Sequence, residues 1–334
     1  QDPDRAELEV ATAIADQQGR SQRQPRRQTA HGATPVGRLV GARIADRALI
    51  DRREGANDAG HRAEQTEQRC DARDRTEGVE EAIEFVHDAK SIRPDRTFFT
   101  YLAFGATHAP HQSPPEYLAK YRGRFDEGWD VIRERWFANQ QAMGLLPEGT
   151  ELAPRNPGVE AWDDLPDNQQ RLAIRLQEAY AAFLDHTDVQ IGRYLAALDA
   201  LGELDNTIVL LLSDNGASQE GGPFGVMHEM KFFNFLIETP DEAIHRIDDI
   251  GGPHSHANYP WGWAQAGNAP FKYYKQNTHE GGVHVPLIMH WPARIADGGG
   301  LRDQFHHVND VVPTIYELLE VTPPDTYRGL EQMP

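Results

Sequence analysis

Cysteine is almost absent from this 334-residue chain, where Cys70 stands alone. A single thiol excludes an internal disulfide and a four-cysteine zinc site. Long apolar runs are missing too. None approaches the roughly 18 residues that a membrane span requires, and the first residues lack the basic-then-apolar pattern of a secretory leader. By default this reads as a cytoplasmic protein with no membrane partner. Basic excess is also lacking: 33 Lys plus Arg stand against 52 Asp plus Glu, a net charge of −19. That balance argues against nucleic acid or an anionic membrane as partner, and it selects no substrate.

The sharpest absences are local. Residues 1–77 contain no Phe, Tyr, Trp, Met or Lys, and their 14 Arg balance 14 Asp plus Glu. The whole negative charge therefore falls on residues 78–334. A stretch so poor in large apolar side chains can bury little and is expected to be largely disordered or marginally helical. Two origins fit it, GC-rich DNA read out of frame or an Arg-rich disordered tail. The chain thus divides into an Arg-rich segment, 1–77, and a folded remainder, 78–334.

What is present in the remainder reads as α/β. Val79, Ala82, Ile83, Val86 and Ala89 form a helical stripe that ends at Pro94. Residues 97–104, TFFTYLAF, are β-prone and empty into a small-residue loop bearing His108 and His111. Residues 122–165 are rich in Gly, Pro, Trp and charge and read as an excursion over the sheet edge. Leu172, Leu176, Tyr180, Phe183, Leu184, Ile191, Tyr194, Leu195 and Leu198 keep a helical rhythm from about Leu165 to Gly202. Within it His186 and Asp188, two apart, do not face each other and read as packing and capping.

Thr207 to Leu212 is a continuous apolar run, the pattern of a buried central strand, and it breaks at Ser213-Asp214-Asn215-Gly216. Residues 223–270 are loop-rich, the kind of segment that is usually functional. A third strand is expected at Val285 to His290 and a last helix at Val311 to Leu319. Strands separated by helices argue a mainly parallel, doubly wound sheet flanked by helices.

An isolated Asp-Asn-Gly is ordinarily a turn leaving a strand. Here Asp214 and Asn215 also offer two hard oxygens at a strand's carboxyl end, where ligands collect in open α/β sheets. Such oxygens suit Ca²⁺ or Mg²⁺ better than zinc. A lysine and a histidine beside such a cation, Lys275 and His108, would gather an oxyanion ester, and a histidine can protonate a leaving alkoxide. Each has a duller reading, Lys275 as a solvated charge, His108 as a satisfied loop histidine, and His279-Glu280 as a surface pair.

The segments FFTYLAFGATHAPH, GRFDEGWD, LLLSDNGASQEGG, YPWGWAQAGNAPF, KQNTHEGGVHVPLIMHWP and VNDVVPTIYELL, in that order, resemble the sulfatase family, in particular bacterial arylsulfatases of the alkaline-phosphatase superfamily. The resemblance runs from about Gly78 to the end. It implies an α/β catalytic domain that hydrolyses a small-molecule sulfate ester, an aryl sulfate giving a phenol and sulfate. It also implies Ca²⁺ on Asp214 and Asn215, His108 on the ester and its leaving oxygen, and Lys275 on a sulfate oxygen. Glu280-Gly281-Gly282 matches a family turn, while His111, His256 and His279 receive no role.

The departures are as informative as the matches. The family's formylglycine arises from Cys or Ser in C-x-P-x-R or S-x-P-x-R, and neither pattern occurs; Cys70 sits in CDARD. The paired aspartates of the other half of the Ca²⁺ site and the G-K-x-H segment are missing as well. The resemblance therefore implies the middle of a sulfatase, an incomplete catalytic domain that keeps the charge-handling groups without the nucleophile. The expected activity of the chain is accordingly low. A non-catalytic remnant is one alternative, and a phosphodiester or phosphonate ester hydrolase of the same superfamily is another.

Overall fold

The computed structural model describes residues 72–332 apart from Ile237. These divide between two units, 72–299 and 300–332. The expectations for residues 1–71, Cys70 included, lie outside the described residues. The stretch read as foreign reaches into the fold at its end, because the first helix, α1, spans Ala72–Ile92 and crosses the boundary at Gly78. Arg75 is one reason: its guanidinium lies 4.2 Å over the Phe183 ring, and its Nε donates to His186 Nδ1 at 3.1 Å.

The larger unit continues with α2 (Pro115–Lys120), α3 (Gly128–Ala142), α4 (Asp167–Ala200), β1 (Val209–Leu212), α5 (Trp261–Gly267) and β2 (Leu287–His290). The long helix α4 is its spine, as its periodicity predicts. Leu172, Ala173, Leu176 and Ala179 enter a core with Trp129, Trp162, Met227, Tyr259 and Trp263. Farther along, Tyr194 and Leu198 pack on Val79, Ala82 and Val86 of α1. The stretch expected to be an excursion contains α3, whose Trp129 and Ile132 are buried. Its Trp129, Ile132 and Trp136 do recur at i, i+3 and i+7, a stripe of only two turns set among Gly, Pro and charged residues.

The α/β class holds, and the strands differ in detail from expectation. Among the described residues β1 and β2 pair antiparallel, with Val209 opposite His290 and Leu212 opposite Leu287, not in the expected mainly parallel sheet. The cause is the long connection between them. It leaves β1 through Gly216 and returns through Gly282, and the Gly216 amide donates to the Gly282 carbonyl at 3.1 Å. Both ends of the excursion are tied at one end of the sheet, which fixes an antiparallel entry. Nor are these strands buried: Leu211 and Leu212 are each 42% exposed and Ile288 is 56% exposed. Residues 97–104 run without a ladder. Their Phe98, Leu102 and Phe104 pack on the α1–α4 cluster, so helices satisfy the apolar surface that a sheet was expected to cover.

His186 is buried in α4, in keeping with its reading as a packing residue. Burial, and then the charge of Arg75, lower its pKa; Glu116 and Asp185 oppose this, and Arg193 reinforces it. A histidine held neutral in the fold binds its proton more readily when unfolded. Its contribution to stability is therefore present above the unfolded value of about 6.5 and is lost as pH falls below it. His186→Gln is expected to flatten that limb of a pH–stability curve measured by urea unfolding. An unchanged limb would show that His186 is not held neutral.

In the smaller unit, α6 (Val311–Leu318) follows a turn closed by His307, whose Nδ1 accepts from the Asn309 amide at 3.2 Å. A short hairpin, β3 (Thr326–Tyr327) with β4 (Leu330–Glu331), completes it. No helix among the described residues is long and apolar enough to cross a membrane.

Candidate functional site

The loop after β1 and the segment 272–282 are laced backbone to backbone. Besides the Gly216–Gly282 bond, the Lys275 amide donates to the Ala217 carbonyl at 3.1 Å. Asn268, just beyond α5, braces both segments. Its Oδ1 accepts from the Ala217 amide at 3.0 Å, and its Nδ2 donates to the Tyr273 and Gly281 carbonyls at 3.0 and 2.8 Å. Tyr273 and Gln276, on either side of Lys275, both adopt positive φ, of 67° and 71°. Side chains there are disfavoured, so the surrounding hydrogen bonds hold this turn in place.

The result is a directed lysine. Lys275 Nζ lies 2.5 Å from Glu220 Oε2, and the two side chains are only 12% and 5% exposed. Glu220 Oε2 also accepts from Ser218 Oγ at 2.9 Å, and its Oε1 accepts from Gln276 Nε2 at 3.0 Å. His108 approaches the same carboxylate from the loop after residues 97–104, with Nε2 3.8 Å from Glu220 Oε2. Its Nδ1 lies 2.9 Å from the Ala109 carbonyl, which fixes that nitrogen as the donor and leaves Nε2 to face the cluster.

A second carboxylate adjoins the first. Isolated bridges pair Val226 with Asn258 and His228 with His256, so a narrow ribbon gathers Glu229, His256 and Asn258. Glu229 Oε2 lies 4.0 Å from His108 Nδ1 and 3.7 Å from His256 Nε2. Its Oε1 accepts from Asn258 Nδ2 at 2.7 Å, and the same amide reaches Ser218 Oγ at 2.9 Å. Burial alone would raise the Glu229 pKa, but the His256 and Asn258 side chains and the nearby His108 outweigh it and hold the carboxyl below its usual range. His111 is fully buried among Tyr180, Phe183 and Tyr259, and burial lowers its pKa to about 3.

Two of the four residues singled out from sequence, His108 and Lys275, thus meet on Glu220. Asp214 and Asn215 stand apart at the carboxyl end of β1. Asp214 is exposed, and no hydrogen bond or ion pair among the described residues engages its carboxylate or joins it to the cluster. A free carboxylate beside an amide carbonyl is a donor set that fits Ca²⁺, though it supplies two of the usual six to eight oxygens. His279 and Glu280 take other partners: His279 packs edge-on against Tyr273 at 4.4 Å, and Glu280 pairs with His284 at 2.6 Å. Sequence reasoning missed Glu220 and Glu229. A glutamate four residues beyond the Asp-Asn-Gly break was the only local sign of the first, and nothing local marked the second.

A family model described as Sulfatase matches residues 42–321. An uncharacterized sulfatase of Schizosaccharomyces pombe is 37% identical over 248 residues, which are 73% of this chain and 43% of that protein. An arylsulfatase of Klebsiella aerogenes is 28% identical over 235 residues, 70% of this chain and 48% of the relative. The chain spans less than half the length of these two curated relatives. Among solved structures, that of Ps i-CgsB in complex with k-i-k-neocarrahexaose aligns over 75% of this chain and 35% of its own, at 19% identity and a TM-score of 0.42.

Proposed function

The chain belongs to the sulfatase family, and on that premise we propose that it carries the ester-holding half of an arylsulfatase site. The observation that supports this reading is the convergence of Lys275 and His108 on one buried carboxylate. Lys275 is the cation that draws in the sulfate, and Glu220 keeps it extended while no ester is bound. An entering sulfate oxygen takes over part of the ammonium's hydrogen bonding, while Ser218 and Gln276 continue to hold Glu220. His108 presents Nε2, the nitrogen free of the Ala109 carbonyl, and from there a proton passes to the leaving phenolic oxygen. Asp214 and Asn215 would hold Ca²⁺, whose charge offsets that of the sulfate oxygens.

The covalent step has no candidate in these 334 residues, since neither C-x-P-x-R nor S-x-P-x-R occurs. Loss of a covalent nucleophile ordinarily removes several orders of magnitude in rate. The chain is therefore expected to bind an aryl sulfate without turning it over. Calorimetry with a chromogenic aryl sulfate and added Ca²⁺ tests the first half, and release of the chromophore tests the second. Lys275→Ala should weaken binding by about 10- to 100-fold, the loss of a charge-assisted hydrogen bond. Wild-type affinity in both Lys275→Ala and His108→Ala would remove the sulfate-holding role. Turnover that vanishes in Asp214→Ala would overturn the inactive reading, and tighter binding of a phosphodiester than of the sulfate would favour the other branch of the superfamily.

A further inference from the structure

The distances around Glu229 are odd for a hydrogen-bonded network. His256 Nε2 stands 3.7 Å from Glu229 Oε2, and His108 Nε2 stands 3.8 Å from Glu220 Oε2. Direct hydrogen bonds between such groups run to about 3.2 Å. Two donors on one tetrahedral ion, each about 2.0–2.2 Å from it, lie about 3.3–3.6 Å apart, so both spacings are within a few tenths of an ångström of sharing one. One ligand atom each from His108, Glu220 and Glu229 fall within 4.8 Å of one another. We propose that His108, Glu220, Glu229 and His256 form a site for a divalent first-row transition metal such as zinc, separate from Asp214 and Asn215.

Three further features point the same way. The His108 Nδ1 is committed to the Ala109 carbonyl, so its Nε2 lone pair is available, the usual arrangement of a ligating histidine. The free carboxylate edges are held from behind, Glu229 by Asn258 and Glu220 by Ser218 and Gln276, as outer-shell partners hold ligands. A set of two imidazoles and two carboxylates suits zinc, whereas calcium takes oxygens alone.

The site has a built-in competitor. Lys275 Nζ occupies Glu220 Oε2 at 2.5 Å, so an arriving cation must share that oxygen or displace the ammonium. Metal binding also takes the nitrogen of His108 assigned above to the leaving group. A bound transition metal therefore withdraws His108 from proton transfer to a sulfate ester. That last consequence rests on the sulfatase reading; the metal site itself does not.

The test is titration of the purified chain with Zn²⁺ at neutral pH by calorimetry, with no sulfate ester present. One ion should bind per chain. Glu229→Gln, which keeps the shape and an acceptor for Asn258, and His256→Asn, at a half-exposed position, should each weaken binding at least tenfold. Lys275→Met should tighten it several-fold, because it frees Glu220 Oε2, whereas mere disruption of the pocket would weaken it. Asp214→Ala should leave it unchanged. Zinc affinity untouched by both Glu229→Gln and His256→Asn would overturn the proposal, as would weaker binding in Lys275→Met. Failure to bind an aryl sulfate, with zinc binding intact, would count against the sulfatase reading alone.

Discussion

Gly216→Ala is expected to cost about 3 kcal/mol of unfolding free energy and to separate Lys275 from Glu220. A Cβ on Gly216 would lie 1.8 Å from the Gly281 carbonyl oxygen and 2.8 Å from its carbon. Both are backbone atoms, so no side chain can swing aside to relieve the overlap. The two segments must part, and with them go the Gly216–Gly282 and Lys275–Ala217 hydrogen bonds. The glycine at 216 serves close approach and not an unusual dihedral, since Gly216 is not among the glycines with positive φ. Gly105→Ala is the control, because an added Cβ there meets nothing within 4 Å. It should shift the urea midpoint by less than about 0.5 kcal/mol. Equal midpoints for Gly216→Ala and the wild type, at unchanged slope, would show that the two loops are not locked together.

That lock also explains what could and could not be read from the sequence. Lys275 and His108 were legible because they sit in short segments whose order resembles a family pattern. Asp214 and Asn215 were legible because a polar break after an apolar run is a local signal. Glu220 lies within one of those segments but had no role assigned to it, and Glu229 carried no such signal. Glu229 becomes part of the site only through the bridges between 226–228 and 256–258, and Glu220 only because Ser218, Gln276 and Lys275 converge on it. Pairings between distant loops leave no periodicity in either.

The helices show the same division. In α4 the apolar rhythm runs through 34 residues and fixes its place, whereas α3 offers Trp129 and Ile132 as its only buried large side chains. The apolar runs at 97–104, 207–212 and 285–290 showed that something would cover them but not what. Helices α1 and α4 do so for the first, while the other two pair with each other and remain partly open. Direction of pairing is a property of the connection, and that connection is closed by glycines whose role appears only once Gly281 and Gly282 lie against it.

Trp263→Ala is expected to cost about 3–5 kcal/mol, a large fraction of the stability of an ordinary domain. The ring is 1% exposed and meets Phe125, Trp129 and Trp162 at centroid distances of 5.5, 6.0 and 6.1 Å. Its Nε1 donates to the Ala173 carbonyl of α4 at 2.9 Å, so one side chain ties three helices together. Three of the facing groups are rigid rings, so the space closes only in part. The loss should reach the site through α5, whose end carries Asn268 and hence the brace on Ala217, Tyr273 and Gly281. Trp261→Ala provides the comparison, since Trp261 is half-buried and donates to the Gln219 carbonyl at 2.7 Å. It should cost clearly less. If the two variants unfold at the same urea concentration, the aromatic cluster is not the core that positions Lys275, and the stability of the site must come from the loop hydrogen bonds alone.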